Sequence, residues 1–179
     1  MGVISPPPAV KAVLGLLFKD PETIREALRR LEDRFGPVDY QSPCFPFVET
    51  DYYADEMGEN LMRQYISLER LIQPDELPAL KVMTNQCEER LSMDGKRAVN
   101  LDPGYIGAAN LILASTKNFS QRIYLSQGIY AEVTMTFQHG DFHKLPWTYP
   151  DYYNHRDVFC EIRRIYRRQL QELEKAESS

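Results

Sequence analysis

The chain has 179 residues, 21 Lys+Arg against 26 Asp+Glu, and a formal net charge of −5. Hydrophobic residues at 43 % and charged residues at 26 % are ordinary for a soluble globular protein and exclude a disordered, collagen-like or rod-like chain. No run approaches the roughly 20 apolar residues of a membrane helix, the acidic balance disfavours nucleic acid, and three scattered cysteines suggest neither a disulfide framework nor a Cys-pair zinc site.

Met1 to Pro8 lacks the regions of a secretory signal and reads as a stiff extended leader. A single cytoplasmic domain over residues 1–179 is expected, fraying over 176–179. Ala9 to Phe18 is short and almost continuously apolar, the pattern of a strand buried on both faces. A helix follows, with Asp20 as cap, Pro21 in its first turn, and Ile24, Ala27, Leu28, Leu31 and Phe35 at helical spacing until Gly36-Pro37. Pro43 and Pro46 limit Val38 to Val48 to a short or edge strand.

Glu49 to Asn60 is an acidic, aromatic connection of the kind recruited for binding. Leu61 to Ile72 alternates, setting Met62, Ile66 and Leu68 on a core side against Arg63, Tyr65, Ser67 and Glu69. Pro74-Asp75-Glu76 opens a helix carried by Leu77, Leu80, Thr84, Cys87 and Leu91, which Asp94-Gly95 closes. Arg97 to Asp102 and Asn110 to Thr116 read as strands around a Pro103-Gly104 break. Arg122 to Leu125 and Gly128 to Phe137 form a hairpin about Ser126-Gln127-Gly128, whose second strand points Ile129, Ala131, Val133, Met135 and Phe137 one way and Tyr130, Glu132, Thr134 and Thr136 the other. An aromatic loop, His139 to His155, leads to a final helix with Val158, Phe159, Ile162, Ile165, Tyr166 and Leu173 on its core side. The fold class expected is α+β: the ferredoxin-like βαββαβ order, a mostly antiparallel sheet, and a C-terminal extension of strands and one helix.

The polar sides of these strands collect Arg63, Glu69, Asn100, Asp102, Arg122, Tyr124, Tyr130, Glu132 and Thr134. Guanidinium groups there suit phosphate or carboxylate, aromatic rings suit a planar base, and Glu69, Asp102 and Glu132 suit a hard cation such as magnesium. The same alternation describes a solvated sheet face with weak cross-strand ion pairs. Lys117, after Ser115-Thr116, and the segments Asp51-Tyr52-Tyr53 and Asp151-Tyr152-Tyr153 complete the candidate set. His139 and His143 have metal-ligand spacing only in a helix, which Gly140 disfavours; no Gly-x-Ser-x-Gly elbow is present.

The segments Thr50-Asp51-Tyr52-Tyr53, Val99-Asn100-Leu101-Asp102-Pro103-Gly104-Tyr105, Leu113-Ala114-Ser115-Thr116-Lys117-Asn118, Gly128-Ile129-Tyr130-Ala131-Glu132-Val133-Thr134 and Trp147-Thr148-Tyr149-Pro150-Asp151-Tyr152 together resemble an uncharacterised prokaryotic family, domain-of-unknown-function family 4416. The resemblance implies a single cytoplasmic domain and brings no established activity or cofactor. Members are sometimes labelled GTP-binding, yet this chain has no Gly-x-x-x-x-Gly-Lys-Ser/Thr loop, so a nucleotide would bind by another geometry. The expectation is an anionic or nucleotide-like small molecule on the polar sheet face, with Arg63, Arg122 and Lys117 on the anion and magnesium-assisted phosphoryl chemistry as the natural class of reaction. The competing expectation is a non-catalytic interaction or dimerisation module that uses exposed aromatics.

Overall fold

Described in the computed structural model are residues 2–50, 53–92 and 95–177. Strand β1 (Val10–Phe18) is buried along its whole length, as its continuous apolar run requires. Asp20 caps helix α1 (Pro21–Phe35) by accepting the Glu22 N–H at 3.0 Å. Two short strands, β2 (Val38–Gln41) and β3 (Phe45–Pro46), and a one-turn helix α2 (Ala54–Met57) lead to β4 (Met62–Ile72). A 3₁₀ turn at Pro74–Glu76 runs into α3 (Leu77–Leu91). Strands β5 (Val99–Ile106), β6 (Asn110–Ser115), β7 (Arg122–Ser126), β8 (Ile129–Gln138) and β9 (Asp141–Lys144) follow, then helices α4 (Pro150–Asn154) and α5 (Arg156–Glu177).

Among the described residues nine strands form one open sheet in the order β2-β4-β1-β5-β6-β8-β7, with β3 beside β4 and β9 beside β8; the pairs are antiparallel. The fold is α+β. Helices α1 and α3 pack on one face, where Ala12, Leu14 and Leu16 meet Ile24, Leu31 and Leu80. On the other face α4 and α5 bring Tyr152, Phe159, Ile162 and Tyr166 against Val13, Tyr65, Leu111 and Met135.

Several sequence expectations are corrected by this layering. The polar side of β4 is not open: Arg63, Tyr65 and Ser67 are buried because α4 and α5 cover that face, while Glu69 beyond them is exposed. Pro103-Gly104 does not interrupt β5, which runs through it to Ile106. The region 139–155 is not all loop, since His139 and Gly140 adopt positive φ and turn the chain into β9, and Pro150 starts α4. In β8 the register with β6 shifts between Leu111 and Ile112, leaving Thr134 unmatched. That bulge reverses side-chain parity. Ile129, Ala131 and Val133 therefore face α3, whereas Met135 and Phe137 join the α5 side. Leu173, expected on the core side of the last helix, is half exposed.

One buried charge ties the far end together. Lys11, on the α5 side of β1, has no exposed surface; its ammonium pairs with Asp39 of β2 and donates to Gln169 Oε1 of α5 at 2.8 Å. Asp39 also accepts from Ser67 at 2.6 Å, and Gln169 donates to the Glu69 carbonyl at 2.8 Å. Burial lowers the Lys11 pKa against the pull of Asp39.

Candidate functional site

The site begins with a proline. In the β5–β6 hairpin the Gly107 N–H donates to the Asn110 carbonyl, so by alternation residues 105, 103 and 101 of β5 also aim their backbone polar groups at β6. Pro103 has no N–H to give to the position opposite it, Ala114. Pairing accordingly ends at Gly104↔Leu113, and beyond it the strands part. Gly104 allows that last close approach, because a Cβ there would overlap the Ile112 carbonyl oxygen. The sequence reading of a break was right about the residue and wrong about the object: Pro103 opens the sheet and leaves the strand intact.

Helix α3 finishes what β6 abandons. Leu101 has no β6 partner, so Glu88 Oε1 accepts its N–H at 2.6 Å and Lys81 Nζ donates to its carbonyl at 3.1 Å. Seven residues apart, Lys81 and Glu88 share one helical face. Burial raises the Glu88 pKa, with Lys81 and the Leu101 N–H opposing.

Between the parted strands lies a cleft of about 790 Å³ that reaches from α3 to α4. Arg63 sits at its floor with only 4 % of its side chain exposed; its Nε is 2.9 Å from Asp151 Oδ2 and its Nη1 3.4 Å from Asp102 Oδ2. The guanidinium carbon lies 5.2 Å from the Phe47 ring centre and 5.7 Å from that of Tyr152, within cation–π range. Burial works against the Arg63 charge, but Tyr152, Asp151 and Asp102 outweigh it and hold its pKa above the usual arginine value. Burial raises Asp151, with Arg63 opposing. Although Arg63 Nε is close to Asp151, its N–H has no hydrogen-bond partner among the described residues, and neither has the buried Tyr152 hydroxyl. Tyr152 fits only because β1 carries Gly15 opposite Tyr65 and Asp102; a Cβ at Gly15 would overlap the hydroxyl.

The other wall is clamped by Arg122. Its Nε donates to Glu132 at 2.9 Å, Nη1 to Ser115 Oγ at 2.9 Å and the Lys117 carbonyl at 3.0 Å, and Nη2 to the Tyr149 hydroxyl at 3.0 Å. With so many acceptors engaged, Arg122 shapes the wall. On the α3 side Arg97 donates to Asn100 Oδ1 at 2.6 Å and Glu56 at 3.2 Å, and Asn100 donates to Asp102 at 2.8 Å.

Of the residues selected from sequence, Arg63, Asn100, Asp102, Lys117, Arg122, Glu132 and Asp151 line this one cleft. Glu69 stands apart beside the Lys11 cluster, so it does not join Asp102 and Glu132 in one cation site. Tyr124 and Tyr130 meet edge-on, 5.4 Å apart, on the β7–β8 hairpin outside the cleft. Thr134 is buried at the bulge. Asp51 and Tyr52 lie outside the described residues. Sequence reasoning missed Gly15, Lys81, Glu88, Tyr149 and the role of Tyr152. A lone glycine in an apolar strand, and two charges on a helix's core stripe, were the available signals.

Seven carboxylates and five cations line the cleft among the described residues, so an entering anion gains most if a cation accompanies it. No group of three or more His, Cys, Asp or Glu is arranged to hold a metal among those residues. No helix is long and apolar enough to cross a membrane. A family model described as Domain of unknown function (DUF4416) matches residues 8–166. No curated protein and no solved structure matches the chain.

Proposed function

For a chain that belongs to the family described as Domain of unknown function (DUF4416), we propose that the cleft between β5 and β6 binds a small polar, nucleotide-like molecule. The observation that carries this reading is the pair of buried donors, Arg63 Nε–H and the Tyr152 hydroxyl, without hydrogen-bond partners among the described residues. Buried donors are rarely left unmet, and both residues line the cleft. Phe47, Tyr53 and Tyr149 offer ring surface along the walls, while Thr116 and Lys117 at the rim suit an anionic group. The acidic excess favours an anion that arrives with Mg²⁺. A finer fold assignment belongs to the same proposal: the order β2-β4-β1-β5, with α1 and α3 on one face, supports a ferredoxin-like unit extended by β6 to β9.

Scanning calorimetry of the intact protein with AMP, GMP, ATP and GTP, with and without Mg²⁺, tests the binding. A ligand of the native state raises the melting temperature. Tyr152→Phe, which removes one oxygen, is expected to weaken the responding nucleotide about tenfold. No response to any nucleotide would end this reading.

A second reading has its own observation. Edge strand β7 and its approach expose Phe119, Ile123, Tyr124 and Leu125. Such an edge suits pairing with a second copy of the chain. Light scattering of the protein and of Ile123→Lys tests it: a dimer lost in the variant supports self-association, and a monomer throughout dismisses it.

A further inference from the structure

The two carboxylate oxygens of Asp102 are used unequally. Oδ2 accepts from Arg63 Nη1 at 3.4 Å and from Asn100 Nδ2 at 2.8 Å, and Arg97 in turn holds the Asn100 amide oxygen at 2.6 Å. No described residue donates to Oδ1. The carboxylate is fixed by these contacts, lines the cleft and keeps 26 % of its side chain exposed. An anchored acceptor is thus presented to whatever enters. Its surroundings follow from the β1–β5 register, which sets Asp102 across from Gly15, whose Cβ position is crowded by the Tyr152 hydroxyl and Arg63 Nη1.

That neighbourhood discriminates between ligand groups by charge. The floor carries one guanidinium, Arg63, against two carboxylates, Asp102 and Asp151. An anion placed there meets net negative charge, and an ionised phosphate oxygen has no hydrogen to give Oδ1. A hydroxyl is neutral, donates to the carboxylate and keeps lone pairs for donors beside it. Resting on the binding reading above, we propose that Asp102 Oδ1 accepts a hydrogen bond from a sugar hydroxyl of the nucleotide-like ligand, so that the cleft selects a sugar with its hydroxyls over one without them. The charged acceptor makes such a bond roughly twice as strong as a neutral one. The sugar then lies at the floor, the base against the rings of Phe47, Tyr53 and Tyr149, and the anionic end towards the exposed Thr116 and Lys117. A base N–H is the other donor a nucleotide carries, and removing the hydroxyls separates the two.

The test is titration calorimetry of the intact protein with AMP, GMP, ATP and GTP in the presence of Mg²⁺, and with the 2′,3′-dideoxy form of each. Members of a pair share base and phosphates and differ only in the two hydroxyls. A nucleotide that binds is expected to lose about tenfold in affinity in its dideoxy form. Equal affinities overturn hydroxyl recognition and leave the binding reading standing. If no nucleotide binds, both fall. In Asp102→Asn the donors Arg63 and Asn100 claim the amide oxygen, which turns the amide NH₂ to the open position. The preference for the hydroxylated form is expected to shrink below about threefold there, since a neutral bond replaces a charge-assisted one. An undiminished preference in the folded variant also overturns the proposal, and the wild-type ratios decide the matter if the variant fails to fold.

Discussion

The Tyr152 hydroxyl of α4 occupies the space that a side chain on Gly15 of β1 would fill. A helix seated on one face of the sheet thus reaches an interior strand at the one residue of that strand without a Cβ. Gly15→Ala is expected to destabilise the protein by about 1–3 kcal/mol through overpacking. Tyr152→Phe should recover part of that loss in the double variant, because the two sites touch and their effects do not add. Urea denaturation of the four proteins checks it; strict additivity would contradict the contact.

Arg122 and Glu132 form a pair with little exposed surface on either side. Arg122→Met leaves the Glu132 carboxylate buried without its cation, at a cost of about 3–5 kcal/mol. Adding Glu132→Leu should return much of it, since a matched apolar pair carries no stranded charge. The same urea series reads this out, and a double variant no better than the single would refute the pairing as described.

Lys81 serves the Leu101 carbonyl in place of a strand. Lys81→Met keeps the aliphatic stem but strands that acceptor, and is expected to cost about 1–3 kcal/mol. Faster hydrogen exchange at residues 99–102 should accompany the loss. Unchanged stability would mean that another group takes over.

At Glu88 the consequence depends on pH. Burial raises its folded pKa, so the folded chain binds that proton more tightly than the unfolded one, and the site's contribution to stability falls as pH rises through the carboxylate range. Glu88→Gln still accepts the Leu101 N–H but cannot ionise. Its stability relative to wild type is expected to improve from about pH 4 to about pH 7, the interval above the unfolded glutamate pKa. A difference independent of pH, measured by denaturation at each value, would count against a raised pKa.

What the sequence made legible was local. The cap at Asp20, the turn at Gln127-Gly128 and the apolar run of β1 each depend on residues within a few positions of one another. Two-residue parity also brought Arg63, Asn100, Asp102, Arg122 and Glu132 to one side of the sheet, because no register shift separates Asn100 from Asp102 and Arg122 stands directly opposite Glu132. Parity failed past Thr134, where a bulge reversed it. That α4 and α5 would cover the polar side of β4 lay beyond periodicity, since burial there comes from elements some ninety residues later. Pro103 announced a missing N–H, but whether β1 or β6 would have received it depends on pairing that the sequence does not print.

The Lys11 ammonium, held jointly by Asp39 and Gln169, makes the outermost strand and the last helix share a fate. Neither β2 nor the distal half of α5 can peel away without stranding a positive charge in a dry interior. Amide protection factors in these two distant segments should therefore fall in step under mild denaturant, as one cooperative unit. In a chain whose opposite end is split by a proline, this places the rigid anchor at one margin of the sheet and the aperture beyond its middle.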